Sequence, residues 1–381
     1  MIYYQTQDRR KFFNFPRRTA LDQRYIFVIK IDDRNFRRSS CPLPRNFVFD
    51  IPDHVVKDIN ANLCKLVFDY TFECYDCTHS NPNDLVSFFI KNTMTHFNLH
   101  KDQVILLVGN LKPYREVPFT VCTVNIIYTL IPPASDNFVD TQTKLIETKS
   151  IRDYKVLSLM RNPRYHRIKF AHDIFINNLR DDNLITCRHT IKDFNINFFD
   201  FFKDQSISKD FVNSLPWVYD YNEDVKVINL YLRSKTEEDL YLKSYVNFVI
   251  ETFVDHTSKH NSEYELDMSE KVIKPISRMQ PFIVLGHEGI LSYLQDVGYK
   301  TFSRWWDESY DKDLSSENRY NHIFSLFKKI NAMSREELAD MLKEMQPILD
   351  HNRIIFNEQA NSDNYLQEFK NKLEELFDKY N

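Results

Sequence analysis

Glycine is nearly absent from this chain, with four in 381 residues. So few glycines are kept for places where the backbone needs positive φ or a close approach. Three of them, Gly286, Gly289 and Gly298, fall in one short stretch. Long apolar runs are also missing: none approaches the ~18 residues of a membrane helix, which excludes a membrane span. The six cysteines are scattered and no signal peptide opens the chain, so a disulfide scaffold is excluded and a cytoplasmic setting with reduced thiols is expected. Cys74 and Cys77 have two residues between them, but no second pair lies at zinc-site spacing. No solenoid-length repeat or low-complexity tract is present. No Asp-x-Asp stands where a divalent ion would be needed, and His166, His172, His189, His287 and His322 offer no His-x-Glu or Cys/His metal spacing. No metal ligand set is therefore expected.

What is abundant is aromatic mass, 31 Phe and 21 Tyr, enough to build cores without disulfides or metals. The net charge of −4 hides an asymmetry. Residues 1–49 carry eleven Arg or Lys against four Asp, which is +7 and leaves −11 for the remainder. Arg9, Arg10, Arg17, Arg18, Arg37 and Arg38 are interleaved with Phe12, Phe13, Phe15 and Phe36. Such a segment suits a phosphate backbone with bases to stack on; a solvated basic face balancing an acidic body is the plainer alternative.

Residues 24–31 and 45–51 read as strands, Val55–Asn62 as a helix, Leu66–Asp69 as a strand and Asp84–His96 as a helix. Gln103–Val108 is a buried strand closing on Gly109-Asn110. After the turn-like Pro132-Pro133 a second alternation starts: strand Tyr154–Met160, loop Arg161–Arg167, helix Ile168–Leu179, then strands Leu184–Arg188, Val225–Leu232 and Lys243–Val249. From Ser334 the chain reads as helix, with a capping-box spacing at Ser334 and Glu337 and an apolar face of Leu366, Phe369, Leu373, Leu376 and Phe377. Strands alternating with helices predict an α/β fold with parallel sheets.

Two segments carry candidate chemistry. Phe282–Leu285, the glycines and Ile290–Val297 form a strand–loop–helix unit, whose loop would lie at a strand's carboxyl end, where open α/β sheets bind ligands. Glu270 and Lys271, just upstream, offer a carboxylate for ribose hydroxyls and a cation for phosphate. The loop Arg161–Arg167 sets three arginines and His166 at the start of a helix, whose amides and dipole favour an anion.

Leu159–Arg167, Lys243–Thr252, Ser269–Pro275, Gln280–Gly286, Gly298–Phe302 and Trp306–Asp311 occur in this order. Together the segments resemble phage and viral glycosyltransferases distantly similar to the α1,3-fucosyltransferase family, over residues 155–311, with a loose match before 150. The resemblance implies a GT-B architecture, two Rossmann-like domains facing a cleft. Residues 1–150 would hold the acceptor side, 151–345 the nucleotide sugar, and 346–381 C-terminal helices packed on the body.

The resemblance further implies that Arg161, Arg164 or Arg167 binds the donor diphosphate, with His166 assisting. Glu270 would bond the ribose and Lys271 would neutralise phosphate. Tyr245 and Asn247 would line the nucleotide pocket, Glu251 would sit near the donor sugar, and Lys274 and Gly286 belong to the same donor set. A leaving diphosphate met by protein cations needs no obligatory metal. Asp69 or Glu73 is the expected base for the acceptor proton, with Glu116 a third candidate. The expected substrate pair is a UDP- or GDP-linked sugar and, given the basic segment, double-stranded DNA carrying 5-hydroxymethylated cytosine. Transfer to a glycan or lipid-linked sugar is the rival, and a non-catalytic nucleic-acid-binding protein is the reading from another class.

Overall fold

A computed structural model describes residues 3–6, 20, 23–31, 46–70, 85–108, 119–123, 131, 133–160, 163–188, 190–191, 196–197, 207–217, 235–252, 254, 266, 268–361 and 364–379. The chain divides into two compact units. One comprises 1–126, 256–267 and 362–381, the other 127–255 and 268–361. Among the described residues, no helix is long and apolar enough to cross a membrane.

The first unit holds five parallel strands in sequential order: β1 (Tyr3–Thr6), β2 (Tyr25–Lys30), β3 (Cys64–Tyr70), β4 (Val104–Val108) and β5 (Thr120–Thr123). All five residues of β4 are buried, as a parallel strand covered on both faces requires. Helices α1 (Asp53–Asn60) and α2 (Leu85–Phe97) belong to this unit. Phe47 meets Phe49 and Phe89 edge-on with centroids 5.3 and 5.2 Å apart, and Phe49 meets Phe68 at a tilt, 4.9 Å away. Residues 45–51 are expected to form a strand, and 46–51 of them are described. They join no ladder and instead pack as extended chain on the core, with the Phe49 amide donating to Thr93 Oγ1 at 3.0 Å.

The second unit carries the parallel sheet β11–β10–β6–β7, built from β6 (Tyr154–Leu159), β7 (Asn183–Thr186), β10 (Ser244–Ile250) and β11 (Phe282–Leu285). A short antiparallel pair, β8 (Thr190–Ile191) and β9 (Ile196–Asn197), lies apart from it. The helices of this unit are α3 (Asp136–Glu147), α4 (Tyr165–Ile176), α5 (Lys209–Ser214), α6 (Lys235–Leu242), α7 (Glu270–Ser277), α8 (Ile290–Asp296), α9 (Ser316–Ala332) and α10 (Arg335–Asn361). Phe248 of β10 packs against Phe170 of α4 and Phe327 of α9. On the other face Phe138, Leu157, Leu184, Leu240 and Tyr241 close a second cluster.

The last helix, α11 (Asn364–Asp378), belongs to the first unit, so the chain returns there after α10. Phe369, Leu373, Leu376 and Phe377 are buried. Lys65 and Arg24 lie over the Phe377 ring at 5.2 and 5.5 Å, and Arg24–Asp378 and Lys379–Asp102 pair at 2.9 and 2.7 Å. The expected capping box holds: the Ser334 amide donates to Glu337 and the Glu337 amide to Ser334 Oγ. The strand expected at Val225–Leu232 lies outside the described residues.

Candidate functional site

In the second sheet β6 comes first along the chain, β7 flanks it on one side, and β10 then β11 follow on the other. Winding therefore reverses between β6 and β10, and the connections leave their carboxyl ends in opposite directions. Sheets of this kind take ligands in the crevice opened there. In this chain the crevice is lined by the start of α4, which follows β6, and by Glu251–Thr252 and the start of α7, which follow β10.

Two side chains of α4 bind the end of β10. His166 Nε2 lies 2.8 Å from the Glu251 carbonyl oxygen. Arg167 is 2% exposed and donates twice to the Ile250 carbonyl, at 3.2 and 2.9 Å, and once to Thr252 Oγ1 at 3.3 Å. Burial pulls the Arg167 guanidinium down to about 10 while the facing Glu251 holds it up, so it stays charged at neutral pH. Arg164, the N-cap residue of α4, is exposed and is not used to cap the helix. It is the described arginine of this loop best placed to meet a ligand at the helix's positive end.

Glu251 organises the other wall. Its carboxylate accepts from the Ser269 amide (2.9 Å), Ser269 Oγ (2.8 and 2.6 Å) and the Thr252 amide (3.2 Å), and is 3% exposed. Ser269 in turn caps α7, accepting from the Lys271 amide at 3.3 Å. The Lys271 ammonium donates to Ser269 Oγ at 2.9 Å and sits 3.2 Å from Glu270 and 3.8 Å from Glu251. Burial raises the Glu270 carboxyl, but Lys271 and then Lys274 outweigh it and hold the group below the usual carboxylate range. The Lys271 ammonium thus sits beside two carboxylates at the positive end of α7.

The glycine loop has a different part from the one its pattern suggests. Gly289 sits at φ +83°, and the amides of Leu291 and Ser292 at the start of α8 are taken by the Asp311 carboxylate at 2.8 and 3.0 Å. That helix start is occupied by the protein's own anion. Gly286 is small because of Glu251 and Ile290. A Cβ there would lie 3.3 Å from Glu251 Cγ and 2.5 Å from Ile290 Cδ1.

Thus Arg164, His166, Arg167, Glu251, Glu270, Lys271, Lys274 and Gly286 gather at the carboxyl ends of β6, β10 and β11. Tyr245 and Asn247 do not. Glu251 stands six residues beyond Tyr245, about 20 Å along the strand. The Tyr245 hydroxyl accepts from the Arg152 amide at 2.9 Å, and Asn247 donates to Gln280 at 3.1 Å. Both belong to a buried network with Gln142 and Ser244 near the amino end of the sheet. Asp69, 6% exposed, stands near the carboxyl end of β3 in the first unit. Arg161, Glu73, Glu116 and the arginines at 9, 10, 17, 18, 37 and 38 lie outside the described residues.

Sequence reasoning passed over Thr252, Ser269, Asp311 and Arg319. The first two had a usable signal, a hydroxyl directly after an apolar strand and a Ser preceding Glu-Lys at a helix start. Trp306 packs on Phe302, and Trp305 lines a cleft of about 470 Å³ between α9 and α10, donating its N–H to Glu344 at 3.2 Å. Among the described residues no three His, Cys, Asp or Glu side chains group as a metal site. No protein-family model matches the chain, and none of the curated proteins is significantly similar to it.

Proposed function

We propose that this chain is a GT-B glycosyltransferase that takes its sugar from a nucleotide-diphosphate donor bound by the second unit. The observation that carries the reading is the placement of Arg164 and His166 at the start of α4 and of Lys271 at the start of α7, beside the strand-order reversal between β6 and β10. These groups suit a diphosphate, and Glu270 beside Lys271 suits a ribose diol. The acceptor hydroxyl attacks the anomeric carbon, the bond from that carbon to the diphosphate oxygen breaks, and the diphosphate leaves with its charge met by the cations. The acceptor proton passes to a carboxylate of the first unit, for which Asp69 at the end of β3 is the described candidate. The basic segment 1–49 favours a DNA acceptor with a 5-hydroxymethylated cytosine, presented in the major groove or flipped out.

The test incubates the protein with UDP- and GDP-sugars and DNA containing 5-hydroxymethylcytosine, then digests to nucleosides and weighs them. A hexose or pentose adduct, lost in Asp69→Asn, is expected. No adduct with any donor, together with no melting shift from UDP or GDP, would refute the enzyme reading. A nucleotide-induced shift without a DNA adduct would move the acceptor to a glycan.

A further inference from the structure

Arg319, in the first turn of α9, is 2% exposed, and its guanidinium is spent on backbone. Nε donates to the Gly286 carbonyl at 3.2 Å, Nη2 to the Val254 carbonyl and Nη1 to the Asp313 carbonyl, with Glu288 3.6 Å away as counter-charge. Gly286 follows β11, and Val254 follows β10 by four residues. One planar fork therefore ties together the chain segments that leave two neighbouring strands.

Both segments bear on Glu251. Val254 is three residues beyond it, and Gly286 packs on its side chain so closely that a Cβ would come within 3.3 Å of Cγ. Glu251 fixes Ser269, and Ser269 Oγ together with the Glu251 and Glu270 carboxylates fixes the Lys271 ammonium. Asp311 pins the far side of the loop, its carbonyl accepting from the Gly289 amide at 2.7 Å. The loop is thus held at both ends as a fixed wall.

We infer that Arg319 is a positioning residue for the anion site. It sets Glu251 from the backbone side and from the side-chain side, and through Glu251 and Ser269 it sets Lys271, without touching the ligand. This rests on the reading that Lys271 meets a diphosphate. Arginine is required because three carbonyls on three segments need a rigid fork of donors, which a lysine ammonium on a flexible stem does not supply. A buried charge is tolerated only when so many of its donors are used.

The experiment uses the full-length protein labelled with 13Cε-lysine, with the Lys271 signal identified by Lys271→Arg and Lys372 of α11 as the remote reference. Arg319→Lys and Gly286→Ala perturb the same chain of contacts from opposite ends. The Lys271 signal should move in both variants while Lys372 stays in place. In parallel, Arg319→Lys should weaken binding of inorganic pyrophosphate about tenfold in the wild-type background and less than about twofold where Lys271 is already Ala, since coupled residues do not add. An unmoved Lys271 signal in a folded variant, or equal losses in both backgrounds, would overturn the assignment. The lysine spectrum needs no ligand. A wild-type protein that ignores pyrophosphate would therefore count against the donor site while the spectrum still decides the role of Arg319. If Arg319→Lys does not fold, Arg319→Gln, which keeps a side-chain donor, carries the same decision.

Discussion

The two described arginines of the Arg161–Arg167 loop should separate cleanly on mutation. Arg167→Ala removes three hydrogen bonds from a buried guanidinium and strands the Ile250 carbonyl and Thr252 hydroxyl. Each charge-assisted bond lost costs about 1.5–3 kcal/mol, and each stranded acceptor about 1–3 kcal/mol. Against this, burial has already pulled the group from 12.5 to about 10, so removing the charge returns about 3 kcal/mol of desolvation. Taken at the low end of each range, the net loss is about 3–4 kcal/mol, or a fall in Tm of about 7–14 °C for a unit of this size. Arg164 is exposed, so Arg164→Ala should change stability by less than about 0.5 kcal/mol. It should instead weaken UDP or GDP binding by about 1.5–3 kcal/mol, the worth of one charged contact. Differential scanning calorimetry and urea unfolding measure the first pair of effects, and titration calorimetry the second. Arg167→Ala melting within about 1 °C of wild type, or Arg164→Ala destabilising as much as Arg167→Ala, would refute the division of roles.

Lys65 has its ammonium pulled from 10.5 to about 8 by burial, with Asp102 opposing. Because the unfolded chain holds that proton more tightly, this group makes the first unit more stable as pH rises from about 8 to 10.5. Lys65→Met should remove that gain, and urea midpoints at pH 7.5 and 10 that move in parallel for both proteins would contradict it. Sugar transfer should persist in excess chelator, because protein cations meet the leaving charge; loss of product reversed by added magnesium would show otherwise. If DNA is the acceptor, replacing Arg9, Arg10, Arg17 and Arg18 with Ala should lower the slope of log K against log salt by about 3.6, roughly 0.9 per phosphate contact released. An unchanged slope would detach the basic segment from DNA.

Strands whose apolar runs are short and bounded were legible because burial on both faces leaves a continuous signal, as in β4, β6, β10 and β11. The stretch at 45–51 misled for the same reason: Phe49 is buried and Phe47 half-buried, but by packing and not by a ladder. Helix α7 was not anticipated, since Pro275 lies inside it and only eight residues carry its pattern. At the site, clustered charge marked Arg164, Arg167, Glu270 and Lys271, which chain proximity brings within a turn of their helix starts. Strand order was not legible, and it is strand order that places the ends of β6 and β10 side by side. Tyr245 and Asn247 lie on the same strand as Glu251, and proximity in sequence concealed that a strand's two ends face different surroundings. Arg319, 68 residues beyond Glu251, bears no local mark at all.

The most direct test of the donor site is hydrogen exchange of the intact protein with and without saturating UDP or GDP. The account predicts slowed exchange in peptides covering 160–168, 250–254 and 269–274 with at least one of the two nucleotides, and loss of that protection in Lys271→Ala. Binding that protects other segments and leaves these three unchanged would contradict it.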